Sequence, residues 1–498
     1  MLALALDAGS SSVRAALYDR DGALVPSSLA QVDIDLTVAP GGVVEIGAAE
    51  MRVAIEQVID ATLSHPRAAP GAIAVVGMTT FWHSLVVLDG ADQPLTPVLT
   101  WADTRSEPEA DWLRATLDGA AVHNRTGCIL HPSYLPAKIR WVQRHQPDVA
   151  ARAAAWLSFP QYCTGVWLGS TVSSVSMASG SGLFDSRAGD WDAELLATLG
   201  ISRSTLGGFL PDPELLSPVT GAYAARWPAL RGVPWRAPIG DGAASNAGVG
   251  CVVPEHLTLM VGTSGAMRRC APADDSTHAL QPGVWRYLLD RRHVLTGGAL
   301  SSGGNLYAWL RQTLQLEDDH VIETQLARRQ PGEHGLVVLP LLAGERSLGW
   351  VGDATGAIAG LTLHTSPLDI LHASLEAVTY SFADLFDALK RGGESVVATG
   401  GGLQASPTWL HMMADALGCE VVVPAVREAS LRGAAVIALR DVGLLEEPAL
   451  ADVVVVQRYA PREARYELHR ERRALQRELY DREVGPGGAN LLVRQSRS

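Results

Sequence analysis

The chain opens Leu2-Ala3-Leu4-Ala5-Leu6-Asp7-Ala8-Gly9-Ser10-Ser11-Ser12-Val13-Arg14, and a related string returns in the second half as Leu257-Thr258-Leu259-Met260-Val261-Gly262-Thr263-Ser264-Gly265. In the first string Leu2, Leu4 and Leu6 alternate with Ala3, Ala5 and Asp7, the period of a strand with one bulky and one small face. Asp7 therefore stands at a strand end, and Gly9 to Ser12 forms a tight polar turn. A second alternating run, Val13 to Tyr18, ends in the hairpin signal Asp19-Arg20-Asp21-Gly22. The whole predicts an antiparallel meander around a Gly/Ser turn. Its echo at His256 to Arg268 predicts two halves built alike.

Size agrees with this reading, since 498 residues exceed one ordinary core and call for two or more domains. With 47% hydrophobic and 19% charged residues the chain is that of a globular protein. A formal net charge of −13 excludes nucleic acid as the main partner, because binding a phosphate backbone needs clustered positive charge. The five cysteines, Cys128, Cys163, Cys251, Cys270 and Cys419, are scattered without metal-ligand spacing and fit a reducing cytoplasm. The apolar run Met1 to Leu6 lacks a basic leader and stops at Asp7, so no signal peptide is expected. No stretch reaches the length of a membrane span, and a soluble protein is expected.

Two nucleotide folds are also excluded. A Walker-type loop needs Gly-Lys-Ser/Thr, but the two lysines, Lys138 and Lys390, follow Ala137 and Leu389. A dinucleotide fingerprint needs Gly-x-Gly-x-x-Gly after the first strand, where Asp7-Ala8-Gly9-Ser10-Ser11-Ser12 stands instead.

In the second half, Ser366 as cap, Pro367 and Asp369 precede Leu371, Leu375, Val378, Phe382, Leu385 and Leu389, then Gly392, which predicts a long amphipathic helix. Val396 to Ala398 predicts a strand running into Gly400-Gly401-Gly402, and Ser406-Pro407 starts a further helix. Pro461 to Glu483 reads as a charged helix, and Gly485 to Ser498 as a mobile tail.

Phosphoryl transfer from ATP requires backbone donors around the phosphates, a magnesium ion and a carboxylate that accepts the hydroxyl proton. Glycine turns let N–H groups converge on phosphate oxygens, which makes Gly9 to Ser12 and Gly262 to Thr263 candidates. Gly400 to Gly402 admit a nucleoside close to the backbone, and alone they serve equally as a packing or capping device. Asp241 lies between Gly240 and Gly242 before the small-residue helix Ala243 to Ala247, where it reads either as a helix cap or as an exposed base. Asp7 suits magnesium held through water. Thr80-Phe81-Trp82-His83-Ser84 and Trp101-Ala102-Asp103-Thr104-Arg105 combine aromatic faces with hydrogen-bonding groups, as polyol recognition needs, although a buried His or Trp also serves packing alone.

Taken in order, these segments resemble the FGGY carbohydrate kinases from Leu4 to about Ala434. Asp7 to Arg14 looks like the family's first phosphate motif and Val261 to Gly265 like its second. Ser133-Tyr134-Leu135-Pro136-Ala137-Lys138-Ile139-Arg140-Trp141 resembles one signature, and Gly400 through Ser406-Pro407 the other. The resemblance implies an α/β, actin-like ATPase (ribonuclease H-like) fold with two duplicated domains around a central cleft. It divides the chain into residues 1–236 with the sugar side, 237–484 with the base and adenosine side, and a flexible tail 485–498. It implies ATP and Mg2+, with Asp241 as catalytic base and Asp7 as the acid near magnesium. Gly9, Ser10, Ser11, Ser12, Arg14, Gly262, Thr263, Gly304, Gly400, Gly401 and Gly402 would lie on ATP. Trp82 and His83 would contact the sugar, with Asp103 and Arg105 beside it.

Within the family His83-Ser84, Trp101 to Ser106, His131-Pro132 and Leu342-Ala343-Gly344-Glu345-Arg346 resemble the gluconate kinase branch, while Trp82 stands where a methionine is common. D-gluconate is therefore the expected substrate, with xylulose or another pentulose or polyol as the alternative. A gluconate carboxylate asks for a cation, for which Arg105 is the candidate unless it braces Asp103 or a loop. An actin-like or chaperone-like ATPase has no use for Trp82, His83, Asp103 and Arg105, and a silent sugar sensor none for Asp241. A small-molecule substrate, a cytoplasmic location and, among assemblies, a homodimer complete the expectation.

Overall fold

The computed structural model describes residues 1–273, 280–447 and 453–486, so the expected mobile tail lies, beyond Pro486, outside the described residues. Two large mixed sheets dominate, and the opening strand decides how the first is covered. Leu2–Ala8 pairs antiparallel with Ser12–Asp19, with Asp7 opposite Arg14, and parallel with Ile73–Thr80. Ala30–Asp33 extends the hairpin side. Trp235–Arg236 extends the parallel side and carries Leu215–Leu216 antiparallel at its edge.

The second half repeats this plan strand for strand. His256–Val261 pairs antiparallel with Gly265–Pro272 and parallel with Ser395–Thr399. His293–Leu300 extends the hairpin side, Val421–Pro424 the parallel side, and Val455–Tyr459 closes the edge antiparallel. Six strands thus correspond in order and direction, the duplication that the echoed Gly/Ser turn predicts.

The two faces of the first strand are used differently. Leu2, Leu4 and Leu6 pack with Met51, Ile55 and Ile59 of the helix Ala48–Leu63, each buried leucine contributing about 1.5–3 kcal/mol. Ala3 and Ala5, with Ala16, face Leu431, Ala434, Ala435 and Ala438 of the helix Ala429–Asp441, which arrives from the other half of the chain. Small side chains bring this helix down onto the sheet. A Cβ at Gly77 would stand 2.1 Å from the Ala434 carbonyl oxygen.

The reverse exchange also occurs. The helix Asp241–Gly248 leaves the first sheet through Ile239–Gly240 and docks on the second, where the Thr258 hydroxyl donates to the Asn246 side chain at 2.8 Å. The exchanged helices cross at backbone distance. A Cβ at Gly248 would lie 1.8 Å from the Ala429 oxygen, and one at Gly433 1.8 Å from the Ala244 oxygen. Only glycine fits at either place.

The remaining helices follow their end signals. Ser366 and Asp369 form a reciprocal capping box for Pro367–Leu389, and Ser406 caps Pro407–Leu417. Glu463–Glu483 forms the charged helix expected near the end. Asp241 is the first helical residue and Gly240 the cap, one position from the cap reading. Among the described residues no helix is long and apolar enough to cross a membrane.

The crossing yields a stability prediction. Gly433→Ala forces a methyl into backbone and should cost about 3 kcal/mol in urea unfolding, whereas Gly119→Ala, where a Cβ meets nothing within 4 Å, should stay within about 0.5 kcal/mol. Equal unfolding midpoints for the two variants would contradict the close crossing.

Candidate active site

The two duplicated turns and the loop at Asp241 converge on one cavity of about 170 Å3, bordered by Ser10, Ser264 and Asp241. In each turn the glycine N–H is turned back on the following backbone: Gly9 donates to Ser12 O and Gly262 to Ser264 O, both at 3.0 Å. The second turn is locked to the start of the helix Gly304–Thr313, since Gly304 N–H reaches Gly262 O at 2.8 Å and Asn305 N–H reaches Thr263 O at 2.9 Å. Gly400, at φ 90°, lies against the same strand end, where a Cβ would stand 2.3 Å from Val261 O. Gly402 approaches the Val261 and Gly262 oxygens as well. Gly262, Thr263, Gly304 and Gly400 to Gly402 are thus one cluster, although 140 residues separate its ends.

Asp241 faces the cavity with one oxygen bound by Gly242 N–H at 2.7 Å. Burial pushes its pKa up to about 6, against the lowering pull of Arg268 and with a further push from Asp7. At neutral pH it is a carboxylate of raised basicity. Asp7 is buried, and its Oδ2 accepts from Arg14 and from the Ser430 hydroxyl, while among the described residues its Oδ1 accepts no hydrogen bond. That oxygen fits an ordered magnesium water. Arg14 also pairs with Glu428, so this set ties the first strand pair to the entry of the crossing helix Ala429–Asp441.

The structure divides the four residues expected on the sugar side. Trp82 and His83 border the cavity. The Trp82 indole N–H donates to Ser176 O at 3.0 Å, and the ring lies where Cβ atoms at Gly240 and Gly242 would stand 1.8 and 2.8 Å away. It therefore walls the turn that carries Asp241. The His83 Nδ1 meets the Gly180 carbonyl, which can only accept, so Nδ1 holds the proton and Nε2 keeps its lone pair. Burial, with Lys138 and Arg346 nearby, pulls its pKa well below the ordinary histidine value, so the ring is neutral.

Asp103 and Arg105 do not reach the cavity. Asp103 is 0% exposed and accepts from Val44 N–H at 2.9 Å and from Arg105 Nε at 2.9 Å, and Arg105 also pairs with Glu45. Arg105 is a brace here, the second of the two readings open to it. The cations that do border the cavity are Arg268 and Arg346. Arg268 is 8% exposed with its Nε unpartnered, and Arg346 lies over the Trp101 ring at 5.3 Å. Among the described residues neither guanidinium forms an ion pair within salt-bridge distance, and burial lowers the pKa of both. Strand parity carries the missed signal: Ala266 and Arg268 share one face of the strand Gly265–Pro272, in the hairpin that repeats the opening motif.

Away from the cavity, His334, His372 and Glu376 form a cluster of metal-capable groups. Leu336 N–H donates to His334 Nδ1 at 2.9 Å, which puts the imidazole proton on Nε2, pointing at Glu376 at 3.1 Å. His334 is then a donor to a carboxylate rather than a metal ligand.

The contrast between the arginines is open to measurement. Arg105→Met leaves the buried Asp103 without its counterion and should lose about 3–5 kcal/mol of stability, whereas Arg268→Met removes an unpaired cation and should lose no more than about 1 kcal/mol. Parallel urea unfolding in which the two variants lose the same stability would show that this difference in pairing is wrong.

With the geometry in place, comparison with known proteins is direct. Residues 2–248 match the N-terminal domain and residues 257–442 the C-terminal domain of the FGGY family of carbohydrate kinases. The chain is 29% identical over 470 residues to the gluconokinase of Bacillus subtilis (strain 168), covering 91% of this chain and 90% of that one. It is 30% identical over 480 residues to the gluconokinase of Bacillus licheniformis, covering 92% of each. The crystal structure of a ligand-bound xylulose kinase from Lactobacillus acidophilus aligns with a TM-score of 0.89 at 24% identity, over 96% of this chain and 98% of that one. The duplicated sheets are those of the actin-like ATPase fold, and since both domain models match in order across almost the whole chain, this protein belongs to the FGGY family of carbohydrate kinases.

Proposed function

We propose that the protein transfers the γ-phosphoryl group of ATP to the terminal hydroxyl of a sugar acid, D-gluconate, giving 6-phosphogluconate. The observation that carries the acid as substrate is the pair of guanidiniums, Arg268 and Arg346, which border the cavity with Asp241 as the carboxylate beside them and, among the described residues, form no ion pair within salt-bridge distance. Buried unpaired cations are costly, and an anionic substrate offsets that cost. The gluconokinases of the two Bacillus species support the same choice. A neutral pentulose is the alternative, favoured by likeness to the xylulose kinase structure, but it leaves both arginines unmatched.

In this reading His83 Nε2 accepts from a substrate hydroxyl, and the Trp82 face bounds the carbon chain. Asp241 takes the proton from the terminal hydroxyl as its oxygen attacks the γ-phosphorus and ADP leaves. The backbone of Gly9 to Ser12 and of Gly262 to Thr263 surrounds the phosphates, Arg14 positions Asp7, and Gly304 with Gly400 to Gly402 receives the nucleoside. Asp7 would hold magnesium through water, and the ion would neutralise charge on the β- and γ-phosphates. Asp103 and Arg105 stiffen the loop behind the sugar rather than touching it.

Asp241→Asn should lower kcat about 10^3-fold while ATP binding persists; a variant with near-native turnover would remove Asp241 from the chemistry. Because a base works only when deprotonated, kcat/KM should fall as pH drops through about 6, and Arg268→Met, by removing the charge that opposes protonation, should move that limb upward. Assays over gluconate, xylulose, ribulose and glycerol should give the highest kcat/KM with gluconate, and Arg346→Met should raise the gluconate KM about 10-fold or more. A neutral ketose turned over better than gluconate would decide for the pentulose reading.

A further inference from the structure

Lys138 belongs to the segment Ser133 to Trp141, the one resembled signature to which no chemistry has yet been attached. It lies in the helix Leu135–His145, 1% exposed, and its Nζ donates to the His83 carbonyl and to the Thr100 carbonyl, each at 2.6 Å. Among the described residues no carboxylate lies within salt-bridge distance of the amine, which leaves these two carbonyls as its bonded partners. His83 is one of few non-glycine residues in the left-handed region, at φ 64°, a conformation that an L-residue holds only when its surroundings enforce it. The enforcement is visible on both sides of the residue. Lys138 takes its carbonyl, Gly180 takes its ring N–H, and the Tyr134 ring meets the imidazole edge-on at 4.7 Å. The second carbonyl, Thr100, immediately precedes Trp101, whose ring carries Arg346. One ammonium group therefore ties together the two loops that border the sugar side of the cavity.

We propose that Lys138 is a positioning residue for substrate recognition: by holding the His83 backbone in its left-handed turn, it aims the Nε2 lone pair of His83 at a substrate hydroxyl. This rests on the reading of His83 as a sugar contact made above. The amine keeps at least two N–H donors whether protonated or neutral, so both carbonyls stay bound in either state. Without the anchor, His83 relaxes toward an ordinary backbone conformation and Nε2 leaves its place, which raises the sugar KM while the ATP side, built on Gly262, Gly304 and Gly400, is untouched.

The test is a double-mutant cycle on kinetic constants with Lys138→Met and His83→Ala. Each single variant should raise the KM for the sugar about 10-fold or more with the KM for ATP within about twofold, and the double variant should fall well short of the product of the two effects, because Lys138 acts mainly through His83. If the two effects multiply, or if Lys138→Met raises both KM values together, Lys138 serves only packing and the proposal fails. If His83→Ala leaves the sugar KM unchanged, the assignment of the sugar site itself fails, a different result from the first. Should Lys138→Met not fold, Lys138→Arg, which keeps donors in altered geometry, takes its place in the same cycle and is expected to show a smaller rise in sugar KM with the same non-additivity.

Discussion

Two helices that pass each other at backbone distance hold the molecule together. Gly248 against Ala429 and Gly433 against Ala244 leave no room for a side chain, so the helix leaving the first sheet reaches the second and the helix leaving the second reaches the first. Each half thus has one sheet face covered by the other half's chain. The alanine face of the opening strand belongs to the same constraint, since larger residues at Ala3 and Ala5 would lift the crossing helix off its sheet. Asp241 is the first residue of one of these helices, so the crossing and the cavity are built on one element.

The electrostatics of the cavity follow from that convergence. Asp7 enters from the first sheet, Asp241 from the helix between the halves and Arg268 from the second sheet, and Asp7 and Arg268 push the ionisation of Asp241 in opposite directions. Burial alone would keep Asp241 protonated to higher pH; Arg268 restrains that shift and leaves a carboxylate that is ionised, yet basic, at neutrality. Arg105, by contrast, is paired with Asp103 and Glu45. The guanidiniums of Arg268 and Arg346 differ from Arg105 in bordering the cavity beside Asp241.

Local signals were legible where the chain makes its own hydrogen bonds. The Ser366–Asp369 capping box, the Ser406 cap and the two Gly/Ser hairpins depend on neighbours a few residues away, and the string of side chains carries them without help from the fold. Which arginine borders the cavity was not legible in this way. Arg105 and Arg346 both follow turn-like segments, and Arg268 sits in a strand beside a second arginine, so composition does not separate a brace from a ligand-facing group. What separates them is whether a carboxylate is within reach, and the partners of Arg105 are Glu45, far away in sequence, and Asp103, buried by its surroundings.

The amino-acid sequence by itself determined the strand-turn-strand unit, its repetition, the glycines that admit close approach and the position of Asp241 at a helix start, because these rest on side-chain size, periodicity and local hydrogen bonding. Only the tertiary structure decided which residues share the cavity, that His83 presents Nε2 and not Nδ1, and that Arg268 and Arg346 rather than Arg105 face the site. Those outcomes depend on contacts such as His83 with Gly180 and Arg14 with Glu428, between groups that no local rule relates. They are settled by the burial and pairing that the crossing helices impose.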